Sequence, residues 1–228
     1  MIKRTARGAY WVAKTNSLTV ELDLKGKVGH FKTKEMTVHH EKQSLHAEII
    51  MPNAQVSGVI KAPGRGRFNI RGMGMINHAR STTLPPKIAK HWFKLYAFPA
   101  TEEAGDLPAF MLIDMRYPVG LAKAISWVWH GDESKPRSLG ANNSLHGLKL
   151  NKRRLKLGDH FKIGHLKPLQ VRVTKITPIY SYEPVKAYGV MGRLLKSWVG
   201  DPINRTSFVE LNTQRGMMRA IIEEVEFR

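Results

Sequence analysis

Asp114 is the residue of this sequence whose type and setting most directly suggest chemistry. It interrupts an apolar run, being preceded by Ile113 and followed by Met115. An acid in such a strand must be paired or held protonated, because burying an isolated charge is costly. A protonated carboxyl group can protonate an alkene, the opening step of hydration or cyclisation. The structural alternative is an ion pair with Arg116, which lies two residues further along and on the same face of a strand.

His78 is a second candidate for acid–base chemistry. It follows two glycines, which allow the backbone to approach a ligand or another strand closely. An imidazole titrates near neutrality, so His78 can act as a proton donor. Its alternative role is that of a hydrogen-bonded histidine that organises the end of a strand. Arg80 also has two interpretations, namely pairing with a carboxylate such as Asp114 or Glu183, and contact with a ligand.

Aromatic side chains form a third group of candidates. Trp127 and Trp129 alternate with Ser126 and Val128, so both indoles occupy one face of a predicted strand. Their rings offer apolar area and a negative π face that suits a polyene or a developing carbocation. Core packing is the commoner use of such residues, and in either case we expect the two indoles to line an interior. The further candidate ligand-binding residues are Trp92, Arg116, Tyr182 and Glu183.

The histidines do not predict a metal site. His39 and His40 are neighbours whose side chains diverge in a strand, and His46 lies about 20 Å further along at the rise of an extended chain. The sequence also has no metalloprotease histidine motif, phosphate-binding loop or Gly-x-Ser-x-Gly elbow. We therefore expect neither a metal nor another cofactor, and no nucleotide or serine-hydrolase chemistry.

The net charge is the extreme property of the composition. Among 228 residues, 37 Lys and Arg stand against 18 Asp and Glu, which gives a formal charge of +19. This balance favours long-range attraction to nucleic acid, anionic lipid or acidic substrates without giving specificity. The basic residues are dispersed, apart from a cluster between Lys149 and Lys156 that is typical of a solvated loop or a strand edge.

The cellular compartment is predicted from what the sequence lacks. Without cysteine there is no disulfide framework, thiolate metal site or cysteine nucleophile, and a reducing compartment is permitted. The longest apolar stretches, such as that around Ser126, are far shorter than a membrane span. No secretory signal is visible at the N-terminus. We expect a cytoplasmic protein.

A period of two dominates the chain. Leu18, Val20, Leu22 and Leu24 alternate with polar residues, as a half-buried strand requires. Similar short segments recur and are separated by turns rich in Gly and Pro, such as Pro63 to Gly66, which predicts an all-β protein. The best candidate for a helix runs from Pro184 to Val199, although two glycines weaken it. Its apolar stripe consists of Tyr188, Met191, Leu195 and Trp198.

Two segments carry a resemblance to a known family. One runs from Gly72 to Ser81 and leads into Ala89 to Trp92, and the other runs from Tyr182 to Pro202 and continues with Glu223 to Glu226. They resemble the lipocalin-like family of AttH-type proteins and carotenoid 1,2-hydratases, over about Val56 to Arg228. The resemblance implies a calycin-like barrel that accommodates terpenoid, polyketide or lipid-like molecules. Some relatives of this kind hydrate or cyclise them.

The sequence thus predicts an antiparallel lipocalin-like (calycin) barrel with an additional partial sheet and little helix. Residues 1–62 are expected to form an N-terminal β segment, part of an incomplete first barrel, and residues 63–228 the lipocalin-like barrel. The leading hypothesis is binding of a small hydrophobic molecule, with hydratase, isomerase or cyclase activity as an option, since carrier and catalyst share one fold. The alternative is a basic surface module that binds nucleic acid or an anionic membrane non-specifically. A domain that docks on another protein is a third interpretation.

Overall fold

The described part of the chain is almost entirely β-structure. The computed structural model describes residues 2–5, 8–26, 36–40, 43–82, 89–100, 107, 109–116, 124–130, 137–140, 155–163, 169–199 and 201–227. The alternation of apolar and polar residues seen in the sequence corresponds to extended strands, because successive side chains of a strand point to opposite faces. The prediction of an all-β protein with little helix is confirmed.

Fourteen strands are present among the described residues. The first six are β1 (Ile2–Thr5), β2 (Gly8–Lys14), β3 (Thr19–Gly26), β4 (Met36–His40), β5 (Gln43–Ala62) and β6 (Gly66–Ser81). The other eight are β7 (His91–Pro99), β8 (Phe110–Arg116), β9 (Ala124–His130), β10 (Arg137–Gly140), β11 (His160–Ile163), β12 (Leu169–Tyr182), β13 (Pro202–Thr213) and β14 (Gly216–Phe227). One sheet has the order β1-β2-β3-β5-β4, with β6 paired to β5. The second has the order β10-β9-β8-β7-β14-β13-β12-β11.

The first of two compact units comprises Met1–Met36 and Ala47–Ala79. Its small buried core consists of Leu24, Met51 and Ala54, and the half-buried side chains packed against it are Trp11, Leu22, Val56 and Ile76. The predicted turn between β5 and β6 is confirmed. Gly64 and Gly66 adopt φ angles of 75° and 88° there, a left-handed conformation that favours glycine.

The second unit comprises Thr37–His46 and Arg80–Arg228 and has the larger core. Its eight-stranded sheet is antiparallel at every described pairing. Alternate residues of neighbouring strands meet in one apolar cluster, and we call the side of the sheet that carries them the inner face. The inner face includes Phe93, Leu95, Ala97, Phe110, Leu112, Val209, Leu211, Met218, Ala220 and Ile222. The predicted division of the chain at residue 62 stays a prediction.

The predicted helix from Pro184 to Val199 is interrupted. It consists of α1 (Pro184–Ala187) and α2 (Gly189–Val199). Gly189 has a φ of 57°, which breaks the helical backbone between the two segments. Gly192 is buried, and a Cβ there would collide with the carbonyl oxygen of Val185, so α2 packs very closely on α1. No helix in the described part of the chain is long and apolar enough to cross a membrane.

Candidate functional site

A row of polar residues crosses the inner face near one end of the eight-stranded sheet. The register pairs Arg205 with Glu224, Glu224 with Phe93, and Phe93 with Asp114. Residues that are directly opposite on neighbouring strands have their side chains on the same face. One row of the inner face therefore contains Arg205, Glu224, Phe93 and Asp114. The row continues to the position of Ser126 in β9.

The two carboxyl groups of this row are buried. Asp114 is 5% exposed, Glu224 is 6% exposed, and Phe93 between them is fully buried. Because neighbouring strands lie about 4.8 Å apart, the α-carbons of the two acids are about 10 Å apart, on either side of β7. Both acids interact with other groups of the protein, as buried carboxyl groups must. Two carboxyl groups thus flank one aromatic ring inside the unit.

A second polar row lies two residues nearer to the end of the sheet. It pairs Glu226 with Ile203 and His91, and His91 with Arg116. A guanidinium N–H of Arg205, at Nη1, donates a hydrogen bond of 3.3 Å to Oε2 of Glu226 and so links the two rows. The Nδ1 atom of His91 is buried. Arg116 shares the face of Asp114, as its spacing predicted, although its side chain lies outside the described residues.

On the other side of the buried row the inner face is apolar. The next row contains Ile222, Leu95 and Leu112, and none of the three is more than 4% exposed. The environment therefore changes from charged to apolar between adjacent rows of one face. Carboxyl groups at such a boundary can donate or accept protons while water is largely excluded around them.

The predicted aromatic residues occupy the opposite, outer face of the sheet. Trp92 shares a row with Tyr182, because Tyr182 pairs with Asn204 and Trp92 with Val225, the partner of Asn204. These two aromatic residues do not share a face with Asp114. The candidate acid Asp114 and the candidate aromatic residues Trp92 and Tyr182 thus lie on different faces of one sheet.

Trp127 and Trp129 also have outer-face positions in the register. They pair with Ile113 and Met111 of β8, and the intervening Val128 pairs with inner-face Leu112. Ile113 and Met111 are themselves buried, so this part of the outer face is covered. The side chains of both tryptophans lie outside the described residues. Their role in ligand binding stays a prediction.

Trp92 has an unusual polar environment. The Nζ atom of Lys94 lies 5.5 Å from the centroid of its ring and 3.7 Å from Oε2 of Glu223. The indole Nε1 of Trp92 is buried and has no hydrogen-bond partner among the described residues. A buried donor without a partner is rare and favours a polar group beside it. The predicted ligand contact of Trp92 stays a prediction.

Tyr182 and Glu183 lie where β12 leads into α1. The ring of Tyr182 stacks on that of Tyr180, with centroids 5.9 Å apart. A hydrogen bond with Tyr188, and to a smaller extent burial, raises the pKa of Tyr182 above its ordinary value of 10.0. Oε2 of Glu183 lies 2.6 Å from Nζ of Lys186, so Glu183 is paired within the helical segment. The proposed ligand contacts of Tyr182 and Glu183 stay predictions.

His78 and Asp114 belong to different units, and the side chain of His78 lies outside the described residues. Of the two glycines before it, Gly74 approaches a neighbouring strand, since a Cβ there would lie 2.7 Å from Cγ2 of Val56. The absence of a side chain at Gly74 therefore allows the two strands to pack closely, which is a structural role for this glycine. Arg80 is exposed and interacts with another group. The catalytic role of His78 and the ligand contact of Arg80 stay predictions.

Sequence reasoning identified Asp114 but missed Glu224, Arg205 and His91. The sequence pattern that could have identified them is the same period of two that predicted the strands. Each of these residues lies an even number of positions from buried apolar residues of its own strand and therefore shares their face. In β14 the buried residues at such positions before Glu224 are Met218, Ala220 and Ile222. Charged residues at a strand end are easily interpreted as solvent-facing, and only the paired register places them on the inner face.

The chain is similar in structure to two solved proteins. An AttH-type protein from Nitrosomonas europaea matches with a TM-score of 0.53 at 14% sequence identity, over 99% of this chain and 67% of that protein. Kievitone hydratase from Nectria haematococca matches with a TM-score of 0.53 at 8% identity, over 97% of this chain and 65% of the hydratase. No family model matches the sequence, and no curated protein matches it.

These likenesses concern the fold, because identities of this size do not establish a shared activity. The chain spans about two thirds of the length of each solved protein. The resemblance to AttH-type and hydratase proteins that the two sequence segments carried is confirmed at the level of structure. The chain has the antiparallel, lipocalin-like fold of these proteins.

Proposed function

We propose that the second unit binds a small hydrophobic molecule that carries a polar group. The observation that supports this most directly is the pair of buried acids, Asp114 and Glu224, at the border of the apolar inner face. A core that served stability alone would be served better by apolar residues at these two positions, because buried carboxyl groups lose hydration. Binding sites for small molecules combine an apolar lining with a few convergent polar groups.

We expect the apolar body of the ligand to displace side chains that pack against the rows of Leu95 and Leu112, which are buried in its absence, and its polar group to face the acids. Burying apolar area contributes about 25 cal/mol per Å², so a lipid, terpenoid or polyketide-like molecule gains most from this environment. The hydrogen bond to a carboxyl group fixes its orientation. The lipocalin-like fold supports the proposal, since small barrels of antiparallel strands can hold one such ligand.

The same pair of acids is suited to hydration of a double bond. One carboxyl group, in its protonated form, gives its proton to one alkene carbon. The other, ionised, takes a proton from a water molecule whose oxygen bonds to the second carbon. The product is an alcohol, and proton exchange between the two acids restores the starting state. Isomerisation follows instead if the second acid removes a proton from a neighbouring carbon. The likeness to a protein named as a hydratase supports this reaction class.

Adjacent glutamates provide a matched test of ligand binding. Glu224→Gln changes the inner face, whereas Glu223→Gln makes the same chemical change on the outer face, where Glu223 faces Lys94. The probes are cis-parinaric acid, retinol and farnesol, followed by ligand fluorescence or by competition. We expect Glu224→Gln and Asp114→Asn to weaken binding about tenfold or more, since a hydrogen bond to a charged group contributes about 1.5–3 kcal/mol. Glu223→Gln should bind like the wild type.

Equal affinities of the two glutamine variants would contradict the proposal, and so would the absence of saturable binding of all three probes to the wild type. Native mass spectrometry of protein purified without detergent gives an independent measurement. A co-purifying apolar molecule that is retained by Glu223→Gln and lost by Glu224→Gln is the expected result. Incubation of that molecule in isotopically labelled water then detects hydration as incorporation of the heavy oxygen.

A further inference from the structure

Helix α2 presents three apolar side chains to solvent. Val190 and Leu194, one turn apart, are 69% and 67% exposed, and Met191 is exposed as well. At 100° per residue these three side chains fall within an arc of about 100°. Gly192 lies roughly opposite this arc and is buried against α1. The helix therefore packs through its glycine side and turns an apolar ridge outward, the reverse of the usual orientation of a surface helix.

The ridge formed by Val190, Met191 and Leu194 continues onto β12 through tyrosines. Tyr188, just before α2, is exposed and hydrogen-bonded with Tyr182. Tyr182 in turn stacks on Tyr180, which is also exposed. These contacts join the helix and the outer face of the sheet into one surface. Contiguous exposed apolar surface of this kind marks an interaction site.

Basic side chains lie along the same surface. Arg193 is exposed in α2 and makes no ion pair in the part of the chain that the structure describes. The outer face of the sheet adds the exposed residues Lys175 and Arg219, which share one row. The helical segment adds Lys186 and Lys196, which pair with Glu183 and Asp201. The acid paired with Lys175 is Glu210, with an Nζ–Oε1 distance of 3.2 Å. The surface is thus apolar and positively charged, in a chain with a formal charge of +19.

We propose that this ridge and its basic surroundings bind the surface of a membrane that contains anionic lipid. The positive charge attracts the protein to the lipid head groups, and the exposed apolar side chains then insert between them. Tyrosine is favoured at this depth because its ring is apolar and its hydroxyl polar. Helix α2 has 11 residues, which suits a helix lying in the interface.

The positive charge of the protein favours an anionic membrane over two other possible partners of the ridge. A second copy of the chain could cover the ridge, but it would bring a formal charge of +19 against +19. A nucleic acid matches the charge, yet its phosphate backbone offers no apolar contact for Val190 and Leu194. An anionic bilayer is complementary to both properties of the surface.

Vesicle flotation with two leucine variants tests the proposal. Leu194→Asp places a charge on the ridge. Leu157→Asp makes the same change at a leucine that is 69% exposed, near the opposite end of β12, where the backbone of Gly158 bonds to Val173. The vesicles are phosphatidylcholine alone, or phosphatidylcholine with about one quarter phosphatidylglycerol, in about 0.1 M salt. We expect wild-type protein to float with the anionic vesicles only.

Leu194→Asp should lower the partition coefficient about tenfold or more, because an ionised side chain replaces one that inserts. Val190→Asp, on the same ridge, should behave alike, and Leu157→Asp should bind like the wild type. Circular dichroism checks that the variants are folded. Equal losses in Leu194→Asp and Leu157→Asp would overturn the proposal, as would equal binding of the wild type to neutral vesicles. Two other results would also overturn the proposal. One is wild-type protein that does not bind vesicles but forms a dimer that Leu194→Asp dissociates, and the other is wild-type protein that binds RNA but not vesicles.

Discussion

Glu223 and Glu224 are neighbours in β14, yet they lie in different environments on the two faces of the same sheet. Glu224 is on the inner face, nearly excluded from water, in a row with Phe93 and Asp114. Glu223 is on the outer face, partly exposed and close to Lys94. The two faces therefore place different demands on one residue type. A carboxylate on the outer face keeps much of its hydration, whereas one on the inner face must be stabilised by protein groups or by a ligand.

Residues of β7 show the same contrast. Phe93, Leu95 and Ala97 are fully buried, and the alternating Trp92, Lys94 and Tyr96 are partly exposed. The inner face accordingly forms the buried core of the second unit, and its polar end is the proposed ligand site. The outer face has the basic and apolar surface proposed to meet a membrane. Variants that compare the two faces separate these roles.

The largest difference is expected between truncations of Phe93 and Lys94. Phe93→Ala removes a fully buried ring and leaves a cavity between two acids. We expect it to lower the free energy of unfolding by about 3–5 kcal/mol, the range for large buried aromatic residues. Lys94→Ala should change it by less than about 1 kcal/mol, because the ion pair with Glu223 is partly exposed. Urea unfolding followed by tryptophan fluorescence measures both. Equal effects would show that the inner face is not the core.

A smaller difference is expected between two ion pairs. Arg205 and Glu226 form a 3.3 Å pair on the inner face, where the Arg205 side chain is mostly buried and the Glu226 side chain is 43% exposed. Lys175 and Glu210 form a 3.2 Å pair on the outer face, with the Lys175 side chain largely exposed. Double-mutant cycles should give a coupling energy of about 1–2 kcal/mol for the inner pair. The outer pair should give less than about 0.5 kcal/mol.

High salt provides the control for this comparison. Screening acts on exposed charges more than on buried ones, so about 1 M salt should weaken the outer coupling and leave most of the inner one. A coupling energy at Arg205 and Glu226 that is equally small, or equally sensitive to salt, would contradict the assignment of these residues to a buried polar end of the inner face.

The strands could be predicted from sequence because their information is local. Alternation from Leu18 to Leu24 predicted β3, and the glycines at positions 64 and 66 predicted the turn that follows β5. The break between α1 and α2 lies at Gly189, one of the two glycines that weaken the helical pattern. Each of these features depends on the conformational preference of a few consecutive residues.

The candidate site could be predicted only in part, because register is not local. Asp114 was conspicuous in its own strand, but its row partner Glu224 lies more than one hundred residues further along the chain. Alternation showed that Trp127 and Trp129 share a face without showing which face is inner. Their pairing with Ile113 and Met111 in β8 decides this position. A shift of one residue in the pairing would exchange the two faces.

The smallest effect is expected at Tyr182, on the outer face beside the helices. Its pKa is raised above 10.0, mainly by the hydrogen bond with Tyr188, which stabilises the neutral phenol. A raised pKa in the folded protein means that the associated stabilisation is present below pH 10 and is lost as the pH rises through the folded value. Tyr188→Phe removes the hydrogen bond, so the pKa of Tyr182 should fall toward its ordinary value.

NMR of protein with tyrosine labelled at Cζ follows this residue individually. Tyr180→Phe is the control, because Tyr180 contributes least to the shift and its loss should lower the pKa less. If the two variants titrate alike, the tyrosine contacts that join α2 to the outer face are not those described, and the surface proposed to bind lipid loses its continuity.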